Sequence, residues 1–350
     1  MMAWLRRALL LVVIVSTGLA RPAFAASMSP DEAEDGWLQA ASADEMPTAP
    51  APANIAVDPE GDVYVTDYAF DRVLKFASDG TLLQQWGGSG SAMGQLSGPF
   101  GVAVDDRGAL YVVEQLNNRV QKFATDGTPL TWWGEAGAGH GALRTPFGAA
   151  VAGGRVYVAD FGNDRVQVFT PEGTPLDIVG ARGTGEGQFL RPAGVAVDHE
   201  GTLYVSDHFN DRVQKFGADG HFEGLLGSLG LSTPMPTPLG TPVPAPLPAV
   251  LPEGQLRRPE GIALDREGNV WVADYGRDRV VKLSADGHFL FAWGGRGSGL
   301  GEFVGPKGVA FDPGSGRLYV ADTGNARIQR LAPDGTVESW PLPDPRNPSS

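Results

Sequence analysis

The chain has 350 residues, 42% apolar and 19% charged, with a formal net charge of −14 and no cysteine. Without cysteine there can be no disulfide, no thiolate metal site and no cysteine nucleophile. Acidity on this scale argues against gripping nucleic acid or anionic membrane with the whole surface, because counterion release needs clustered cations.

At the N-terminus, Arg6 and Arg7 precede an apolar run from Ala8 to Ala20, and Ala23-Phe24-Ala25 fits an A-x-A cleavage site. Residues 1–25 are therefore predicted to be an export signal peptide. The run of 13 residues is short of the roughly 18–20 needed to span a bilayer. No stable membrane anchor is expected after cleavage, and the mature chain is expected to be periplasmic or extracellular. Residues 26–51, rich in Ser, Ala, Pro, Asp and Glu, read as a flexible arm.

Six copies of one pattern then fill 52–340. Each begins with Pro and an apolar run, such as Gly101–Val104 or Gly194–Val197. A second run carries an aromatic landmark at Tyr64, Tyr111, Tyr157, Tyr204, Trp271 or Tyr319, at spacings of 47, 46, 47, 67 and 48 residues. A period near 47 with four short apolar runs per copy means one four-stranded sheet per repeat. The first two runs are nearly continuous in apolar character, as strands covered on both faces are. Asp58-Pro-Glu-Gly61 and its equivalents have type I turn chemistry. Asp79-Gly80, Asp126-Gly127 and their equivalents signal hairpins between the third and fourth strands. The third copy carries a shorter first turn, Ala152-Gly153-Gly154.

The connections between copies are regular. Gly87 to Pro99, Gly134 to Pro146, Gly180 to Pro192 and Gly294 to Pro306 each span 12 positions, whereas Gly227 to Pro259 spans 32. The excess includes a proline-rich insertion, 231–252, expected to be extended and read either as a spacer or docking strip or as a tolerated loop insertion. The tail, 341–350, has four prolines and is expected to be unstructured.

The stretch from Gly185 to Phe216, with Gly-Gln-Phe-x-x-Pro-x-Gly-Val-Ala-Val-Asp and Asn-Asp-Arg-Val-Gln-Lys-Phe within it, resembles an NHL repeat, and the likeness extends over all six copies. The resemblance implies an all-β chain, a six-bladed β-propeller with four antiparallel strands per blade. It also implies that the inter-blade loops and the loops between second and third strands share one binding face. NHL propellers serve as RNA-binding regulators, extracellular sensors and a peptide-amidating lyase. The lyase places zinc-binding histidines where this chain has Asn54, Gly101, Gly148, Gly194, Gly261 and Gly308, which cannot ligate zinc.

An acidic residue and an arginine five positions apart recur as Asp67/Arg72, Glu114/Arg119, Asp160/Arg165, Asp207/Arg212, Asp274/Arg279 and Asp322/Arg327. A catalytic group has no reason to appear six times, so these twelve are read as the blade's fastening. The five histidines show no metal-ligand spacing, and neither a catalytic nor a metal residue is assigned. His140 and His208 are expected on loops of the binding face, each more often an exposed polar residue than a ligand. The candidate rim is instead aromatic and basic: Tyr68, Phe70, Phe100, Phe147, Phe161, His208, Phe209, Tyr275, Arg277 and Lys307. Whether its aromatics contact a ligand or tuck between blades is left even. No cofactor is assigned, and calcium in the channel is left open.

The chain is thus expected to be an exported, monomeric binding or scaffold module. Its expected partner is a protein, peptide or glycan on the loop face, with no nucleic acid. The alternative is a metal-dependent propeller enzyme of lyase or lactonase type working at the channel mouth.

Overall fold

The structure is a computed structural model and describes residues 48–227 and 253–347. The signal peptide, the arm as far as residue 47 and the insertion 231–252 lie outside the described residues.

Each repeat folds into its own four-stranded antiparallel sheet, with strands in sequence order. In the first, they are Pro52–Val57, Val63–Asp67, Arg72–Phe76 and Leu82–Gly87. The six sheets span 52–87, 99–133, 149–179, 192–226, 259–294 and 306–341. The first strand of each sheet touches the first strand of the next, and that of the sixth touches that of the first. Six sheets around one axis make a six-bladed β-propeller. The glycine pair of the shortened turn, Gly153 and Gly154, has φ of +56° and +70°, the left-handed pair a two-residue hairpin requires.

Neighbouring blades cover both faces of each inner strand. The second strands Val63–Asp67, Leu110–Glu114, Leu203–Asp207 and Val270–Asp274 are buried at every residue. The core is divided into interface clusters, such as Tyr111, Val113 and Trp133 of blade 2 against Val156, Val158 and Phe169 of blade 3. The outermost strands carry exposed apolar side chains, among them Leu83, Trp132 and Phe291. A joint recurs between blades. Trp86 and Trp133 lie over Gly127 and Gly173 of the next blade's hairpin, where an added Cβ would sit within 2.8 and 2.5 Å of the indoles.

The acidic–arginine pairs tie each blade to a neighbouring loop. Arg119 Nε donates to Glu114, and its terminal nitrogens donate to the carbonyls of Ser91, Ala92 and Gln95. Arg212 does the same with Asp207 and the carbonyls of Thr184, Gly185 and Gln188. The carboxylate's other oxygen accepts a loop N–H, Leu190 to Asp207 at 2.7 Å.

All six pairs form, and they differ in detail. Arg165, Arg279 and Arg327 keep the bond to their own carboxylates, Asp160 at 2.8 Å, Asp274 at 2.7 Å and Asp322 at 2.7 Å. Their side chains are 11%, 16% and 13% exposed, slightly more than those of Arg72, Arg119 and Arg212. The Trp132 ring covers the Arg119 guanidinium at 5.4 Å. That register holds Gln85, Ile178, Leu225, Ala292 and Ser339 in the other five blades. The loop bonds differ as well. Arg165 donates to the carbonyls of Gly139 and Ala142. Among the described residues, Arg279 reaches one loop carbonyl, Gln255 O at 2.9 Å, because the long connection precedes its blade.

A second acidic or amide residue, in left-handed conformation, caps the following loop. Asn118 accepts from Thr145 N–H, Asp164 from Arg191 and Asp211 from Arg258. The sixth copy has Ala326 there at φ +53°, and no further inter-blade loop follows it.

No blade shares a strand between the chain ends, so the ring closes through side chains. Trp340 lies over Gly80, repeating the tryptophan joint. Arg330 donates to Ser78 O, and Thr323 Oγ1 donates to Pro52 O at 2.7 Å. Arg72 precedes every inter-blade loop, and its guanidinium donates to Pro343 O instead. Leu342 is 4% exposed, packed with Ile55, Leu74 and Ile328, and its N–H bonds Ala326 O. Arg346 donates to Thr48 O. The expectation of an unstructured tail therefore fails for 341–347. At the other end of the chain, the last residue assigned to the arm, Ala51, donates to Asp67 and accepts from Tyr68 N–H. The two chain ends together replace the missing loop.

Candidate site at the axial mouth

The first strands bulge where they meet the axis. Pairing is interrupted between Pro52 and Ile55 and at the equivalent places in blades 2, 4, 5 and 6. Such a bulge re-aims side chains. The residue after each repeat's proline then forms a ring of Ala53, Phe100, Phe147, Ala193, Glu260 and Lys307.

Glycines make the floor. A Cβ on Gly101 would lie 2.3 Å from Phe147 O, on Gly148 2.6 Å from Ala193 O, and on Gly194 2.2 Å from Glu260 O. The strands approach too closely for any side chain there. Hydroxyls pin two of the ring carbonyls: Thr66 Oγ1 donates to Phe100 O at 2.6 Å and Ser206 Oγ to Glu260 O at 2.5 Å.

Above the floor, Phe100 and Phe147 meet at 4.2 Å between ring centroids, and Phe147 stacks on Phe161 at 4.0 Å and 9°. Tyr68 and Phe209 pack against this cluster. Cations lie over its rings. Lys307 Nζ is 4.9 Å from the Phe100 centroid and 5.7 Å from Tyr275, Arg191 is 5.5 Å from Phe161, and Arg258 is 5.8 Å from Phe209. His208 Nδ1 is 3.3 Å from Pro259 O. Burial, with Arg258 and Lys307 adding, depresses its pKa to about 3, so the ring is neutral at ordinary pH.

The candidate rim is thus partly regrouped. Tyr68, Phe100, Phe147, Phe161, His208, Phe209, Tyr275 and Lys307 come together at the mouth. Phe100, Phe147, Phe161 and His208 are buried, so they form a packed bed, and His208 is no exposed loop residue. Phe70 lies apart, between Arg72 and Arg346 of the chain-end seam. Arg277 is turned to Gln255 of the long connection. Sequence reading overlooked Glu260, which is 5% exposed and whose Oε2 has no hydrogen-bond partner. Its signal was present: it occupies the same register as Phe100 and Phe147, one place after the proline. Burial raises its pKa, with Lys307 opposing. Among the described residues, no three His, Asp or Glu converge as a metal-holding group.

Fold and mouth define the class, a β-propeller with an aromatic, basic axial face. The NHL repeat family matches residues 143–169, 256–283 and 303–331, so the chain carries NHL repeats in blades 3, 5 and 6. Peptidyl-glycine alpha-amidating monooxygenase B of Xenopus laevis is 36% identical over 88 residues, 23% of this chain and 10% of that protein. NHL repeat-containing protein 3 of Homo sapiens is 35% identical over 78 residues, 21% of this chain and 22% of that protein. The matches span about a tenth and about a fifth of those relatives. Among solved structures, virginiamycin B lyase from Staphylococcus aureus has TM-score 0.52 at 13% identity, covering 84% of this chain and 85% of the other. A gluconolactonase from Xanthomonas campestris has TM-score 0.55 at 18% identity, covering 79% and 84%. These two share the fold.

Proposed function

We propose that this propeller is a non-catalytic binding or scaffold module, exported from the cell, whose loop face takes a protein, peptide or glycan at the axial mouth. The observation that carries it is the packed bed of Phe100, Phe147 and Phe161, with Phe147 stacked on Phe161, beneath Lys307 and over a glycine floor. Aromatic surface with cations at its margin is a common ground for recognition.

The test is a ligand screen with the full chain, repeated on Phe147→Ala. Loss of the partner in the variant supports the proposal, and equal binding by both overturns it. The competing reading is a metal-dependent lyase or lactonase at the mouth, and it draws on the activities named for the relatives. Metal analysis of purified protein separates the two: stoichiometric zinc or another transition metal overturns the binding-module reading.

A further inference from the structure

The chemistry of the ligand can be taken further, on the binding reading of the mouth. This is a chain of net charge −14, yet Lys307, Arg191 and Arg258 make no ion pair among the described residues. Arginines farther out do pair, Arg182 with Asp164 at 3.3 Å and Arg296 with Asp278 at 3.1 Å. The outer carboxylates are therefore engaged; of the inner cations, Arg191 donates to Gly162 O at 3.0 Å, and Lys307 and Arg258 are left over. Lys307 lies 4.9 Å from the Phe100 centroid and Arg258 5.8 Å from that of Phe209, which places their charge at the mouth itself.

One carboxyl stands among them. Glu260 is adjacent in the ring to Lys307, but the two are not ion-paired. Its Oε2 lies buried without a partner. Buried polar atoms in native structures are normally satisfied, and an exception calls for a missing group. Burial favours the protonated form of this carboxyl, in which it can donate a hydrogen bond. A cationic ligand would face Lys307 and Arg258 here, and a neutral one would leave both without a counter-charge.

We infer that the mouth binds an aryl carboxylate. Its flat ring lies on the Phe100–Phe147–Phe161 bed, its charge faces Lys307 and Arg258, and one oxygen takes a hydrogen bond from Glu260. The alanines at positions 53 and 193, flanking the aromatic half of the ring, leave that half free of competing side chains.

The experiment is calorimetric titration of the full-chain protein with phenylacetate, phenylacetamide and phenethylamine, at low salt and at high salt. Phenylacetate is expected to bind about tenfold or more tighter than either analogue, as a charged hydrogen bond implies, and to weaken with salt. Lys307→Met is expected to lower its affinity about tenfold. Glu260→Gln, which keeps an N–H donor, should stay within about threefold, whereas Glu260→Leu should lose about tenfold. Preference for phenethylamine, equal binding of all three, or no binding of phenylacetate overturns the inference. The ligand comparison on unmutated protein decides the matter even where a variant does not fold. If phenylacetate fails while a screened partner is lost in Phe147→Ala, only this inference falls. If that partner is indifferent to Phe147→Ala as well, the binding reading of the mouth falls with it.

Discussion

Truncation after Pro341 should open the ring at one seam. It removes Leu342, 4% exposed, and the Pro343 carbonyl that Arg72 bonds. Loss of a buried leucine side chain costs about 3 kcal/mol, and a hydrogen bond from a charged donor contributes about 1.5–3 kcal/mol. Arg72 keeps its bond to Asp67 at 2.9 Å, so its charge is not left unpaired. The expected loss is therefore about 5 kcal/mol, a large share of the about 5–15 kcal/mol typical of a domain. It should fall on blades 1 and 6, because an array of repeats transmits instability through nearest neighbours. Native-state hydrogen exchange should show faster exchange in Val63–Asp67 and Arg327–Leu331, with Leu203–Asp207 slower to respond. Leu342→Ala alone should cost about 3 kcal/mol by urea unfolding. Leu130→Ala, at a residue 49% exposed, should stay within about 0.5 kcal/mol. A truncated protein whose seam exchanges at the unmutated rate would refute the reasoning that the tail closes the ring.

His208 should make the protein acid-sensitive. Its folded pKa, about 3, lies below the ordinary 6.5, so the unfolded chain takes up the proton first. Its contribution is fully present above pH 6.5 and is lost as pH falls toward 3, about 2 kcal/mol of it by pH 5. Urea midpoints at pH 7.5 and 5 should therefore converge in His208→Phe; an unchanged pH dependence would count against a buried neutral ring. Gly101→Ala places a Cβ 2.3 Å from Phe147 O and should destabilise by roughly 3 kcal/mol as overpacking. A thermal midpoint equal to the parent's would mean that the axis can expand. Ala326 holds a left-handed φ of +53°. Ala326→Asn should stabilise by about 0.5–1 kcal/mol, since asparagine adopts that conformation more readily; a lower midpoint would contradict it.

Much of the scaffold was legible locally. Asp58-Pro-Glu-Gly61 makes its turn through Asp58 Oδ1, which accepts from Glu60 and Asp62 N–H within the same few residues. The acidic–arginine spacing was legible too, because each carboxylate and its arginine sit opposite one another on adjacent strands. Which carbonyls each arginine reaches was not: Arg212 bonds the loop before its blade, while Arg72 bonds Pro343 O from the far end of the chain. The mouth was legible in part: Phe100, Phe147 and Lys307 stood out as odd residues in a repeated frame, whereas Glu260 in the same register did not. Residue type alone separated neither Phe70 from Phe147 nor Arg277 from Arg258, because each pair differs in which neighbouring blade it meets.

By itself, the sequence determined the repeat, its four strands and its turns, since short apolar runs, Asp–Gly turn chemistry and short-range capping act within one copy. Only the tertiary structure decided the rest. Arg72 and Pro343 are 271 positions apart, and nothing local says that a proline-rich tail will stand in for a missing loop. Burial of Glu260, neutrality of His208 and contact of the Phe100 and Phe147 rings at 4.2 Å likewise arise from strands of different blades brought to one axis, where backbone approach and desolvation are set by the closed ring.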